Sequence, residues 1–200
     1  MSRTYSDLLL FSVTMVELFV LVLLSPTFSY VDGIYVLQHG LVLGIALTRS
    51  APLVQDRSLP IGLAVIVSYA YPYAQVIYLG FWPGSPAFAV LGVGLVVLSA
   101  LLSLMSLLFL GTLFGIRPAL RGLMTSGPYR FVRHPMYLSY ALGDIGYNLQ
   151  EWNPATVLMV IVGWTSLLVR IGAEERIMRE NPLWQNYTQV TRYRLIPGFW

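Results

Sequence analysis

The chain has 200 residues, of which 56% are hydrophobic and 10% are charged. Because soluble domains carry about 25% charged residues, this composition excludes an ordinary soluble fold and predicts a polytopic membrane protein. All 12 basic residues are arginines, and a formal net charge of +3 does not indicate a nucleic-acid-binding surface. The lack of cysteine excludes disulfides, thiolate nucleophiles and thiolate metal ligands.

Six apolar runs are candidates to cross a bilayer, whose hydrocarbon core needs about 20 helical residues. The first run follows Arg3 and lacks a small-residue cleavage site, so we interpret it as a retained span rather than a signal peptide. In chain order, the runs cover residues 7–24, 33–48, 59–82, 86–115, 136–150 and 154–169. We predict an all-α, polytopic helical membrane protein with about five to six membrane helices. A single domain would cover 1–200, with N-terminal helices over 1–115 and a C-terminal half over 116–200.

Several runs contain residues that predict how the helices begin, bend and pack. Pro72 lies inside the third run and is expected to kink it, because proline removes a helical hydrogen bond. Asn153 followed by Pro154 is typical of a helix start, and a charged continuation carries this last helix to about Glu180. The fourth run contains small residues that would allow close helix packing: Gly92, Gly94, Ser99, Ala100, Ser103 and Ser106.

The arginines are distributed unevenly along this plan. If all six runs cross the bilayer, every arginine falls on the side that holds both termini and the polar connector 116–133. The opposite side keeps Asp32 and Glu151 as its only charges. Because cytoplasmic loops carry an excess of basic residues, we predict that both termini and the connector are cytoplasmic. Arg117 and Arg121, in the connector, fit the role of topology or lipid-headgroup anchors.

The connector ends in the sequence GPYRFVRHPMY, residues 127–137, where arginine, histidine and aromatic residues crowd together between apolar runs. Pro135 fixes the backbone and pushes His134 towards an extended conformation. Irregular backbone at a membrane boundary is tolerated where it faces protein or a water-filled cavity. We therefore expect this loop, with Arg130 and Arg133 beside the histidine, to form the wall of a site for a small polar molecule.

Two adjacent carboxylates, Glu174 and Glu175, follow the last apolar run. A helical hairpin would return them to the side of the membrane that holds the connector. Glu175 stands four residues before Arg179, the spacing of an exposed helical ion pair. Glu174 instead shares a helical face with apolar residues, namely Ile171, Ile177 and Met178. An inward carboxylate requires a partner, so Glu174 is a candidate ligand for a cation, an amine or ribose hydroxyls.

Other ionisable residues lie within the apolar runs, where such groups are functional candidates by default. Asp144 is the strongest of them, Glu17 fits a cavity-lining role as well as a packing role, and His39 fits packing better. No zinc-peptidase, P-loop or serine-hydrolase motif occurs in the sequence. The two histidines stand far apart in the chain, which argues against a metal site.

The order of these motifs resembles the isoprenylcysteine carboxyl methyltransferase family, a wider group that includes phospholipid and small-thiol methyltransferases. The resemblance covers residues from about 111 to the end. It consists of the GPYR and RHPMY motifs, the Glu174–Glu175 pair after one helical hairpin, Tyr187, and the sequence RLIP at residues 194–197. It implies an integral membrane enzyme that binds S-adenosylmethionine at the cytosolic edge.

The resemblance also implies roles for individual residues. Arg194 and Arg192 match a basic position that faces the reacting end of the substrate, and with Glu174 they are the expected catalytic residues. The expected cofactor-binding residues are Tyr129, Val132, Arg133, His134, Pro135, Tyr137, Glu174 and Glu175.

The chemistry of the acceptor is left open by the sequence. Methyl transfer from a sulfonium is an in-line displacement, which requires alignment and exclusion of water more than acid–base groups. An arginine would neutralise a carboxylate acceptor, whereas an amine or thiol would need a nearby base. We expect a lipophilic or lipidated acceptor, such as a prenylcysteine carboxylate or a lipid headgroup, that enters from the bilayer. The alternatives are a sterol-type reductase that uses NADPH, a small-thiol methyltransferase, and a non-catalytic scaffold or transporter.

Overall fold

The computed structural model describes residues 12, 14–16, 19 and 30–200, and this part of the chain is mostly helical. Its helices are α1 (Tyr30–Thr48), α2 (Leu59–Phe81), α3 (Ala89–Leu110), α4 (Pro135–Gln150), α5 (Pro154–Met178) and α6 (Trp184–Val190). Two 3-10 helices, Gly111–Leu113 and Gly127–Arg130, and two short strands, β1 (Val54–Gln55) and β2 (Ala119–Leu120), complete it. The predicted all-α membrane fold is confirmed. Most of the first predicted run, including Glu17, lies outside the described residues.

Three helices in the described ranges are long and apolar enough to cross a membrane: α2, α3 with its extension to Leu113, and α5. The apolar part of α1, Val36–Thr48, is shorter. Helix α4 has 16 residues and packs most extensively against α3. Helix α2 continues from Leu59 to Phe81 with Pro72 inside it, so the proline does not divide the helix.

The loops define two ends of the bundle. At one end, Ser85 and Trp152 exchange backbone hydrogen bonds of 3.1 and 3.0 Å, which join the α2–α3 loop to the α4–α5 loop. Asn153 caps α5 there by accepting a 3.0 Å hydrogen bond from the Ala155 amide, as predicted. At the other end, β1 and β2 pair antiparallel, with Val54 opposite Leu120. Consecutive helices from α2 to α5 therefore run in opposite directions.

Helices α3 and α4 approach closely because glycine meets glycine. A Cβ atom at Gly92 would lie 2.6 Å from the Gly146 carbonyl oxygen, and one at Gly146 would lie 2.7 Å from the Gly92 oxygen. Ser99 continues the contact by donating a 2.7 Å hydrogen bond to the Ser139 carbonyl. The predicted small-residue packing is thus present at most positions of α3, but Gly94 has no atom near its Cβ position.

Asp144 joins three helices inside the bundle. Its Oδ2 accepts hydrogen bonds from the Tyr71 hydroxyl on α2, at 2.6 Å, and from the Trp164 indole on α5, at 2.7 Å. A partly buried carboxylate in apolar surroundings requires such partners. This side chain therefore acts as a structural junction of α2, α4 and α5.

The α3–α4 contact predicts opposite effects of two equivalent substitutions. Gly92→Ala should lower the thermal unfolding midpoint in detergent, because forcing a methyl group against backbone costs about 1–3 kcal/mol and exceeds the helix-propensity gain of about 1 kcal/mol. Gly94→Ala, which gains the propensity term without the clash, should leave the midpoint unchanged or raise it. Equal midpoints for the two variants would contradict this packing.

The two ends of the bundle predict the accessibility of single cysteines, which this cysteine-free chain makes simple to measure. Ser126→Cys and Gln189→Cys lie at the end of the bundle that contains β1 and β2, which we call the strand end. They should respond alike to an impermeant thiol reagent in sealed vesicles. Ser85→Cys lies at the opposite end and should show the reverse accessibility. Labelling of all three from one side would exclude this arrangement.

Candidate functional site

The strand end of the bundle contains a pocket between three parts of the chain. The end of α3 and the connector form one wall within residues 110–124, and the loop before α4 with its first turns forms a second within 129–140. The third wall comes from the end of α5 and from α6, including Glu174 and Trp184. The pocket thus lies at the arginine-rich end of the bundle of apolar helices.

The loop that forms the second wall is fixed by its own sequence and by the C-terminal segment. Gly127 has φ +58°, a left-handed conformation that favours glycine, and a Cβ atom there would lie 2.5 Å from the Phe109 ring. The amide of Arg133 donates to the Tyr193 carbonyl and that of His134 donates to the Arg194 carbonyl, both at 2.9 Å. The backbone around His134 is therefore held by a segment distant in sequence.

Glu175 connects this loop to the C-terminal segment through its side chain. Its Oε1 accepts a 2.8 Å hydrogen bond from Arg133 Nε and lies 3.4 Å from His134 Nε2. Its Oε2 accepts bonds of 3.0 and 2.8 Å from Arg194. The carboxylate raises the pKa of the Arg194 guanidinium by accepting these hydrogen bonds. Glu175 is only 4% exposed, so these contacts satisfy a buried charge.

The predicted exposed pairing of Glu175 with Arg179 is wrong. The carboxylate of Glu175 faces Arg133, His134 and Arg194, and the hydrogen bond between positions 175 and 179 is the ordinary helical one between backbone atoms. Sequence spacing within one helix could not reveal the loop and the C-terminal segment that cover this face. Of the two adjacent carboxylates, Glu175 is more deeply buried than Glu174.

Glu174 lines the pocket and is about one-fifth exposed at its side chain. Its Oε1 accepts a short hydrogen bond from the Tyr137 hydroxyl, and its Oε2 lies 3.7 Å from His134 Nδ1. The His134 and Tyr137 rings are neighbours, with centroids 5.7 Å apart. The carboxylate is thus oriented by two residues of the loop and remains accessible from the pocket.

Aromatic residues from the loop before α4 and from α6 also line the pocket. The Tyr187 hydroxyl donates a 2.7 Å hydrogen bond to the Tyr129 carbonyl, and the Trp184 and Tyr187 rings lie 5.8 Å apart. Burial raises the pKa of Tyr187 to about 12 and, together with the nearby charge of Glu174, raises the pKa of Tyr129. Both phenols are therefore protonated at neutral pH, and the Tyr187 hydroxyl acts as a donor rather than a base.

Comparison with known sequences finds similarity to membrane methyltransferases. Residues 85–181 match the phospholipid methyltransferase family. This match spans a little under half of the chain. A stretch of 60 residues is 33% identical to Protein-S-isoprenylcysteine O-methyltransferase A of Arabidopsis thaliana, and it spans 30% of this chain and 30% of that relative. The resemblance noted in the sequence is confirmed.

The residues predicted from the resemblance divide into two groups in the structure. Those that line the pocket are Tyr129, Arg133, His134, Tyr137 and Glu174. Those that support it or lie outside it are Val132, Pro135, Glu175, Arg192 and Arg194. Arg194 binds Glu175, Arg192 is exposed, and both follow the region matched by the phospholipid methyltransferase family. Their assignment to the reacting end of the substrate stays a prediction.

Some pocket residues were not predicted as site residues. Trp184 carries no motif, and only the return of α6 onto the loop reveals its position. Arg117 and Arg121, for which the sequence favours an anchor role, both line the pocket. Arg170 lies outside the pocket lining: it is buried against the Tyr137 ring and donates to the Ile116 carbonyl at 3.0 Å. The available signal for that residue was an arginine directly after the apolar run 154–169.

The Glu175 network predicts a stability difference between two neighbouring carboxylates. Glu175→Ala should lower the thermal unfolding midpoint clearly, because removing one partner of a buried ion pair costs roughly 3–5 kcal/mol, and less here since Arg194 is one-third exposed. Glu174→Ala should have a smaller effect. Adding Arg194→Ala to Glu175→Ala should recover part of the loss. A larger loss for Glu174→Ala would refute the network.

Proposed function

We propose that the protein is an S-adenosylmethionine-dependent methyltransferase that acts on a lipophilic acceptor in the membrane. The observation that carries this proposal is the oriented carboxylate of Glu174 within an aromatic pocket at the edge of an apolar bundle. The family matched by residues 85–181 supports the same reaction class. The name of the plant relative supports it independently, although the aligned stretch covers a minor part of that protein.

The pocket residues fit the chemistry of S-adenosylmethionine. The Glu174 carboxylate suits an ammonium group or ribose hydroxyls, and the rings of Tyr129, Tyr137 and Trp184 suit both an adenine and a sulfonium, because aromatic faces attract cations. When bound, this cofactor supplies an electrophilic methyl group on a positively charged sulfur. His134 lies beside both carboxylates and would orient the polar end of the molecule.

The supporting residues have a different proposed role. Val132 is buried in the loop, Pro135 is buried at the start of α4, and Glu175 holds the loop against the C-terminal segment. They would keep the pocket in one geometry and exclude water, which a displacement reaction requires. We therefore assign them to positioning rather than to direct contact with the acceptor.

The surroundings of the pocket favour a lipophilic or lipidated acceptor. Leu110, Leu113 and Phe114 line it where α3 ends, so an acyl or prenyl chain could reach it from the bilayer. A small-thiol acceptor and an NADPH-dependent reduction are the alternatives. The apolar helices make the chain an integral membrane protein. We propose that one membrane domain spans residues 1–200, with the termini and the pocket on the cytoplasmic side, because the arginines of residues 30–200 lie at the pocket end.

Cofactor binding tests the proposal directly. Titration calorimetry in detergent should show saturable binding of S-adenosylmethionine and none of NADPH. His134→Ala and Glu174→Ala should weaken binding roughly 10-fold to 100-fold, since a hydrogen bond to a charged group contributes about 1.5–3 kcal/mol. Glu180→Ala, which removes an exposed carboxylate at the end of the same helical segment, should leave the affinity unchanged.

Transfer of a labelled methyl group completes this test. Wild-type protein incubated with methyl-labelled S-adenosylmethionine and a lipid extract should place the label in the organic phase, whereas His134→Ala and Glu174→Ala should reduce that signal. Binding of NADPH in place of S-adenosylmethionine would favour the reductase. Label only in a water-soluble thiol would favour the small-thiol branch.

A further inference from the structure

Two arginines on the connector face the same pocket as Glu174. Arg117 and Arg121 stand on either side of β2, and both line the cavity. Arg121 is only 9% exposed, whereas an arginine that anchors a protein to lipid headgroups extends outward to the membrane interface. Its burial in the pocket wall therefore does not fit the anchor role expected from the sequence.

Both guanidinium groups are positioned by backbone carbonyls of residues that flank β1. Arg121 Nε donates a 3.1 Å hydrogen bond to the Ser50 carbonyl, and Arg117 Nη1 lies 3.4 Å from the Asp56 carbonyl. Gly115 leaves room for one of these groups, since a Cβ atom there would lie 2.5 Å from Arg121 Nη1. The Asp56 carboxylate near Arg117 is itself bound by Arg176 at 3.2 Å. The strand pair thus places two cations at defined positions in the wall.

The pocket consequently has groups of opposite charge on different walls. Glu174, on α5, supplies a carboxylate, while the connector supplies two guanidinium groups next to the apolar residues Leu113 and Phe114. Guanidinium groups bind carboxylates and phosphates in bidentate geometry. An amphiphile with an anionic head and an apolar chain matches this wall.

We infer that Arg117 and Arg121 bind an anionic group, a carboxylate or a phosphate, on the methyl acceptor and thereby select the acceptor. This inference rests on the proposed function, because it assigns the pocket's second ligand. The arginines act as specificity-determining residues, and the donor is held by the two walls that contain Glu174 and His134. Donor affinity and acceptor affinity are therefore separable by mutation.

Matched amphiphiles of one chain length test this assignment without a known acceptor. Dodecyl phosphate, dodecanoate and dodecanol are titrated at equal mole fraction into purified protein in neutral detergent, and binding is measured by calorimetry. The better of the two anions should bind wild type about 10-fold to 100-fold more tightly than dodecanol, as expected for charge-assisted hydrogen bonds. Preference for dodecyl phosphate indicates a phosphate-bearing acceptor, and preference for dodecanoate indicates a carboxylate.

Substitutions of single arginines test whether the preference for anionic amphiphiles depends on Arg117 and Arg121. Arg117→Gln and Arg121→Gln should each reduce the anion preference while leaving the affinity for S-adenosylmethionine unchanged. Arg130→Gln removes an exposed arginine outside the pocket lining and should keep the preference. Arg121→Lys retains the charge and should keep part of the preference. This variant therefore distinguishes a loss of preference caused by removing the charge from one caused by misfolding.

Two results would overturn the inference. Equal affinity for the anions and for dodecanol in wild type would show that the wall does not select an anion. A loss of S-adenosylmethionine affinity in Arg117→Gln and Arg121→Gln would show that the arginines bind the carboxylate of the donor. Failure of wild type to bind S-adenosylmethionine at all would instead refute the proposed function, and the anion titration reports separately from it.

Discussion

The buried carboxylate of Glu175 is the contact on which the site depends. It holds the loop through Arg133 and the C-terminal segment through Arg194, and it lies at hydrogen-bonding range of His134. A carboxylate that is 4% exposed is stable only when its hydrogen-bonding capacity is satisfied, so the three segments are required together. The pocket is therefore a product of this junction rather than of one motif.

The helical bundle positions the Glu175 junction at the end of the apolar helices. Glycine contacts between α3 and α4 bring the short helix α4 close to a longer neighbour, and Asp144 connects α4 to α2 and α5. The antiparallel order then returns the end of α5 to the loop that precedes α4. Polar groups inside the bundle thus fix the helix arrangement, and the polar groups at its end are available to form a site.

Two neighbouring glutamates have different environments for a geometric reason. Consecutive helical positions point about 100° apart, so Glu175 faces the covered side of α5 while Glu174 faces the pocket. The first forms ion pairs with arginines, and the second accepts a hydrogen bond from Tyr137 and stays accessible. Structural and ligand-binding roles are thereby separated within one pair of residues.

The sequence by itself determined the membrane class and most helix bounds, because hydropathy is a property of near neighbours in the chain. It also determined the N-cap of α5 at Asn153 and the clustering of His134 and Glu174, because capping residues and local motifs are likewise short-range patterns. The roles of Glu175, Trp184 and Arg121 depended on contacts between distant segments, which spacing along one helix does not encode. The β1–β2 pairing also arose only in the folded chain, since a two-residue strand has no sequence pattern of its own. Tertiary structure therefore decided which charged residues support the pocket and which line it.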